Sequence, residues 1–279
     1  MASLSPGTRA WRWIRRYSAI VRMSHWVNVL CLLILLMSGL QIFNAHPALY
    51  WGEDSNFDRP LFSIFTAFTA EGRPVGVTRI FGRTFDTTGM LGMSAFNGRP
   101  AQRAFPAWLT IPSAQDLATG RVWHLFFAWL FVANGMLFVG HSLVSRHFSR
   151  DLVPRRDQWR NVGRAVRDHL TFKFHGGTGT YNIIQRLTYL FVILMLAPLA
   201  VLTGLTMSPG AVAAAPWLLD GFGGRQSART VHFIVTGLFV LFVVVHVVMV
   251  LITGFVNNMR SMTTGWYAAA GRPFGHDDA

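Results

Sequence analysis

His232 and His246 lie in an otherwise apolar stretch, RTVHFIVTGLFVLFVVVHVVMVLITGFV at residues 229–256, which carries no charge after Arg229. The run is long enough to cross a bilayer, which takes about 20 residues at about 1.5 Å each. An ionisable ring inside such a span is costly and calls for a partner. On a helix the interval between the two histidines leaves them roughly 40° apart around the axis and roughly 21 Å apart along it. One face at two depths is the spacing for two stacked haems, each taking one axial ligand from this helix. Coordination also removes the cost of burying a neutral imidazole unpaired. Two histidines hydrogen-bonded between helices would satisfy the same pattern.

Three further histidines stand in apolar runs. His25 follows Arg22 in RMSHW, His124 follows Arg121 in RVWH, and Arg229 precedes His232 in RTVH. Residues three apart are neighbours on one helix face. If the histidine binds haem iron, the arginine lies one turn nearer the surface, where propionates emerge, and a guanidinium pairs bidentately with a carboxylate. His141 comes later in the second run. It faces roughly 100° away from His124, so it reads as an interfacial or quinone-side residue rather than a ligand.

These histidines need helices to hold them, and the composition supplies them. The chain has 279 residues, 52% apolar and 13% charged, with a mean hydropathy of +0.36. That balance belongs to an integral membrane protein. Four runs qualify as spans, at about 20–44, 121–145, 183–207 and 229–256. The stretch LFSIFTAFTA at 61–70 is too short to cross and is expected to be an interfacial or packed loop segment. The expected fold is an all-α integral membrane protein: one cytochrome domain over 1–279, built as a four-transmembrane-helix haem-binding bundle with a long loop at 45–119.

The net charge of +13 would suggest nucleic acid in a soluble protein, but its location points elsewhere. Five arginines fall from Arg9 through Arg22, and eight basic residues fall between Arg146 and Lys173. The loop at 45–119 instead balances six arginines against six acids, and residues 208–228 hold only Arg225 and Asp220. The short basic segments flank spans, which predicts that both termini are cytoplasmic and the 45–119 loop periplasmic. Lipid, not nucleic acid, is the expected partner of the basic segments. The first span reads as retained, because no twin-arginine consensus surrounds Arg15 and Arg16. The single cysteine, Cys31, lies within that span and no CxxCH motif occurs, so any haem is b-type and non-covalent.

The long loop, rich in Gly, Pro and aromatics, has little regular patterning and suits either docking to a protein partner or a self-packed cap over the helix ends. The basic inner loop is expected to contain one surface helix around 157–170. The third span lacks histidine, and Pro198 predicts a kink in it. Following the chain across the membrane places His124 and His232 near the outer surface and His25 and His246 toward the inner one. The economical assignment is an outer haem on His124 and His232 and an inner haem on His25 and His246, with a His25 and His141 pair as the alternative.

At these residues the sequence resembles the four-helix di-haem cytochrome b family. Its members include the cytochrome b561-like subunits of bacterial formate dehydrogenases, nickel-iron hydrogenases and thiosulfate reductases. The likeness rests on RMSHW with a following SG, on RVWH, on the paired histidines of the fourth span, and on GTYNIIQR at 179–186. It implies that His25, His124, His232 and His246 are ligands of two haems b per chain and that Asn182 helps bind quinone near the inner haem. Ile184 stands where the family has glycine. NAHPALYWG, TMSP and GGRQSARTVHF bring the likeness nearest to cytochromes that accompany a periplasmic molybdopterin-dependent oxidoreductase.

The resulting expectation is an electron-transfer subunit of the bacterial inner membrane, working between quinone and a periplasmic redox partner. A hydrogenase-linked cytochrome is the alternative within the family. A haem-free transporter or membrane anchor, with the histidines as proton relays, is the alternative outside it.

Overall fold

A computed structural model describes residues 11–146 and 183–270, together with positions 148, 153, 154, 159, 162, 163 and 167 between them. Among the described residues, four helices are long and apolar enough to cross a membrane. They are α1 (Ala19–Phe43), α2 (Leu117–Val144), a third span over Ile183–Thr206, and α7 (Arg225–Ile252). Their sides expose large apolar groups, including Val122, Phe126, Trp129 and Leu137 on α2 and Leu241, Val244 and Leu251 on α7. Surface of that kind is stable against lipid rather than water.

The span boundaries depart from expectation where local chemistry sets them. α2 starts at Leu117 because Asp116 caps it: the backbone N–H of Thr119 donates to Oδ1 at 3.0 Å, and the Thr119 hydroxyl donates to Oδ2 at 2.6 Å. Those hydrogen bonds hold the Asp116 carboxyl below its ordinary pKa. The third span is α3 (Ile183–Phe191), a π-helical turn (Val192–Leu196) and α4 (Ala197–Thr206), and the short helices α5 (Pro209–Ala214) and α6 (Trp217–Gly221) lead from it to α7. The expected irregularity at Pro198 therefore takes the form of a widened turn just before it, since proline offers no N–H to the preceding turn. α7 begins at Arg225 and stops at Ile252, short of the expected 256. Gly254, at φ 108°, turns the chain into a separate helix, α8 (Phe255–Thr264). The surface helix expected at 157–170 lies mostly outside the described residues.

Chain contacts divide the protein into two compact units. The first comprises 1–26, 136–193 and 241–279; the second comprises 27–135 and 194–240. In the first, strands β1 (Trp11–Arg15) and β8 (Trp266–Ala270) pair antiparallel. α8 packs beside them: the Asn257 side chain bonds both the carbonyl and the N–H of Ala268, at 2.9 and 3.0 Å, and Arg260 lies over the Trp13 ring at 4.3 Å.

The second unit corrects the all-α expectation. Residues 45–119 fold into β2 (Ala48–Leu49), β3 (Phe62–Phe68), β4 (Pro74–Ile80) and β5 (Arg83–Asp86), one antiparallel sheet in chain order, plus the hairpin β6 (Gly92–Phe96) and β7 (Arg99–Arg103). The apolar stretch at 61–70, expected to be a loop segment, is largely β3. Two tight turns make this possible. Phe81–Gly82 and Asn97–Gly98 each put two successive residues at positive φ, the twist that closes a two-residue hairpin. Gly92 serves a different need, for a Cβ there would lie 2.5 Å from the Phe65 carbonyl oxygen where β6 crosses the sheet.

The core under this cap is Phe43, Leu49, Ile64 and Ala104, with Phe62, Leu91, Phe105 and Phe233 against it. α1 supplies Phe43 and α7 supplies Phe233, so the strands close over two helix ends. At the rim Arg103 is 4% exposed and donates to the Phe105 carbonyl (2.7 Å), the Ser113 carbonyl (2.9 Å) and the Thr110 hydroxyl (2.9 Å). Replacing Arg103 with alanine leaves those acceptors unpaired in a buried site. We expect a loss of roughly 2–4 kcal/mol of local stability, read as faster amide exchange across 92–116 than in the wild type.

Candidate haem sites

Four of the predicted site histidines come together as two pairs, one in each unit. In the second unit, His124 of α2 and His232 of α7 have ring centroids 6.3 Å apart. In the first, His25 of α1 and His246 of α7 also have centroids 6.3 Å apart. No hydrogen bond joins the two rings of either pair. A metal-bound imidazole nitrogen lies about 2.0 Å from the metal and roughly 1.15 Å in front of its ring centre, so two rings on opposite sides of one iron have centroids about 6.3 Å apart. Both pairs have that separation. Among the described residues no group of three or more His, Cys, Asp or Glu could hold a metal ion. Two imidazoles alone suit a metal whose remaining ligands come from a macrocycle.

The His124 and His232 pair is built from the neighbouring helices by matching devices. Ser38 of α1 donates its hydroxyl proton to the Ile34 carbonyl at 2.6 Å, and its oxygen lies 3.0 Å from His124 Nδ1. Thr203 of α4 donates to the Leu199 carbonyl at 2.6 Å, and its oxygen lies 2.9 Å from His232 Nδ1. Because each hydroxyl proton goes to a carbonyl one turn back, each oxygen is left to accept from Nδ1–H. That fixes the tautomer in which Nε2 carries a free lone pair, the arrangement a metal ligand needs. Glycine follows both hydroxyl residues and lets the backbone approach. A Cβ at Gly39 would sit 3.3 Å from His124 Cε1, and one at Gly204 would sit 3.6 Å from His232 Cε1.

The first-unit pair is held differently. The His25 ring packs edge-on to Trp26 at 5.2 Å, and Phe242 stacks on His246 at 5.7 Å. His25 Nδ1 is buried and makes no hydrogen bond among the described residues. The turn carrying His25 is anchored at its flanks. Trp26 Nε1 donates to the Met262 carbonyl at 3.1 Å, and Arg22 donates to the Thr263 carbonyl. Both carbonyls belong to the last turn of α8, whose acceptors have no partner within the helix.

The three arginines thus have three situations. Arg22 is engaged with α8, Arg121 is exposed, and Arg229 is engaged with the backbone carbonyl of His46. His141 lies 3.4 Å from the Ser18 hydroxyl and forms no ring pair with another histidine among the described residues. Asn182 lies outside the described residues. The sequence reading missed Thr203. Its signal is a repeat of hydroxyl, glycine and leucine, Ser38–Gly39–Leu40 in the first span and Thr203–Gly204–Leu205 in the third.

Comparison with known proteins identifies the family. Residues 16–265 match the family described as prokaryotic cytochrome b561. The chain belongs to that family. It is therefore a multi-pass membrane protein that binds b-type haem and transfers electrons, and family membership replaces the haem-free transporter or anchor alternative. The cytochrome is also 26% identical over 231 residues to a curated protein of Azospira oryzae, covering 82% of this chain and 87% of that one. That relative is named a putative protein-methionine-sulfoxide reductase subunit, YedZ1. No solved structure matches.

The close approach at Gly39 makes a test of the second-unit pair. Gly39→Leu forces the His124 ring from its place, and we expect the purified cytochrome to retain less haem b per chain than wild type. Gly39→Ala, which asks the ring to give by only a few tenths of an ångström, is expected to retain most of it. Pyridine haemochrome assay of both variants measures this.

Proposed function

We propose that this cytochrome is a di-haem subunit passing electrons between membrane quinone and a periplasmic oxidoreductase. The observation that carries the reading is the shared 6.3 Å ring separation of its two histidine pairs. His124 and His232 would hold the outer haem b, and His25 and His246 the inner one. The haem supplies a one-electron couple when bound. The chain's own residues do the rest: four imidazoles fix the iron positions, the Ser38 and Thr203 oxygens orient two of them, and apolar helix walls keep water away. Both termini are placed in the cytoplasm by the basic flanks, and the β-rich cap over 45–119 faces the periplasmic partner.

Two supports bear on the partners. The Azospira relative is named as a reductase subunit, and the sequence resembles cytochromes that serve periplasmic molybdopterin enzymes. Together they favour a molybdopterin-dependent reductase over a hydrogenase. Metal analysis of the complex isolated from native membranes separates these, since molybdenum supports the first and nickel the second. Quinone is placed near the inner haem through Asn182, on the resemblance of GTYNIIQR to the family's quinone segment.

The direct test is the reduced-minus-oxidised visible spectrum with a haemochrome count. Wild type is expected to give a b-type spectrum and two haems per chain. His232→Ala and His246→Ala are each expected to lower the count to one, while His141→Ala leaves it at two. Loss of a haem in His141→Ala with retention in His25→Ala would overturn the pairing. Asn182→Ala is expected to keep both haems and slow their reduction by quinol at least tenfold; an unchanged rate removes Asn182 from the quinone site.

A further inference from the structure

His46, Tyr50 and Arg229 converge at the outer end of α7 in a cluster that ligation of iron does not use. Arg229 lies one turn before His232, on the same helix face. Its guanidinium donates to the His46 backbone carbonyl and lies 5.5 Å over the Phe43 ring. No carboxylate among the described residues pairs with it. The His46 ring is stacked on Tyr50 at 5.7 Å with 29° between planes, and it meets the edge of Phe57 at 5.8 Å. Its Nε2 is buried without a hydrogen-bond partner among the described residues. Tyr50 is 2% exposed, and among the described residues its hydroxyl makes no hydrogen bond.

The charge of Arg229 is felt by both rings. It adds to burial in pushing the His46 pKa down, and it opposes burial, which pushes the Tyr50 phenol up. A half-buried guanidinium, a half-buried imidazole whose Nε2 is buried, and a buried phenol thus share one place, with no carboxylate paired to them among the described residues. Burying an uncompensated cation is expensive, and so is leaving a donor unpaired beside it. A single carboxylate repays all three, accepting two N–H bonds from the guanidinium and one bond each from the imidazole and the phenol.

We infer that His46, Tyr50 and Arg229 form a carboxylate site that receives a propionate of the haem held by His124 and His232. The inference rests on the proposed function. A carboxylate could also come from solution, but the one-turn spacing from His232 points to a group carried by the ligated haem itself. Arg229 supplies the charge, while His46 and Tyr50 supply direction and are held for it by their mutual stacking.

The test uses the full-length haem-loaded protein with His46→Phe and Tyr50→Phe combined. This variant keeps both rings and removes both donors. Resonance Raman propionate bending bands and the two midpoint potentials are compared with wild type. The expected result is two haems retained, a shifted propionate band, and a lower midpoint for one haem with the other unchanged, because a less neutralised carboxylate favours ferric iron. Bands and midpoints identical to wild type overturn the inference. Should the double variant lose a haem, Tyr50→Phe alone, which deletes one oxygen atom, carries the same comparison. Sodium acetate added to wild type is expected to change nothing; an acetate-dependent spectral shift assigns the site to free carboxylate and overturns the propionate reading. Wild type lacking haem would instead sink the proposed function, whereas wild type with two haems and a silent variant sinks this inference alone.

Discussion

Each of the four paired imidazoles is carried by a helix apolar enough to span a bilayer, and that constraint organises the protein. In hydrocarbon a polar ring without partners costs several kcal/mol, because no water is present to satisfy it. Each ring here must be met by a bond, a stack or a ligated metal. The second-unit pair receives hydroxyl oxygens on its Nδ1 atoms, made possible by two glycines. The first-unit pair receives aromatic rings, on a turn tied to the carbonyls of α8. In neither pair do the two rings bond each other, and the distance between them is the distance an iron would span.

The two pairs therefore present different surroundings to the same chemistry. A hydrogen bond from Nδ1 to an acceptor makes an imidazole a stronger donor through Nε2 and favours the oxidised metal. Ser38 and Thr203 offer that to one pair, while His25 has no such acceptor among the described residues. Under the proposed function, carriers of unequal potential would suit passage of electrons from one pair to the other. The β-rich cap fits the same scheme, since its core is closed by Phe43 and Phe233, the latter the residue next to His232.

Much of this was legible in the sequence, for reasons that can be named. Spans announce themselves through length and continuous apolarity, so all four were found, and the ends were missed only where a cap such as Asp116 or a breaker such as Gly254 set them. The pairing of histidines followed from depth, because a helix converts residue count into distance. The strands at 45–119 are hard to see in the sequence because each is short and the apolar run at 61–70 does not alternate strictly. Ser63 alone separates Phe62 from Ile64 before Phe65 breaks the alternation, and Asn97–Gly98 is a strong hairpin turn, so both signals are short. Thr203 was missed because a lone threonine in a span is unremarkable until its hydroxyl is seen 2.9 Å from a histidine. His46 is hard to pick out because it lies just past a span and, among the described residues, stacks on Tyr50 and meets the edge of Phe57 rather than packing on another histidine.

On the proposed function each imidazole pair would hold one iron between its two rings. Electron paramagnetic resonance of the oxidised, purified cytochrome measures that directly, since iron between two imidazoles is low-spin. Two low-spin ferric haem signals, integrating to two spins per chain, are what the histidine pairs require. A high-spin signal of comparable intensity, or a single low-spin species per chain, would mean that at least one pair does not ligate iron as described.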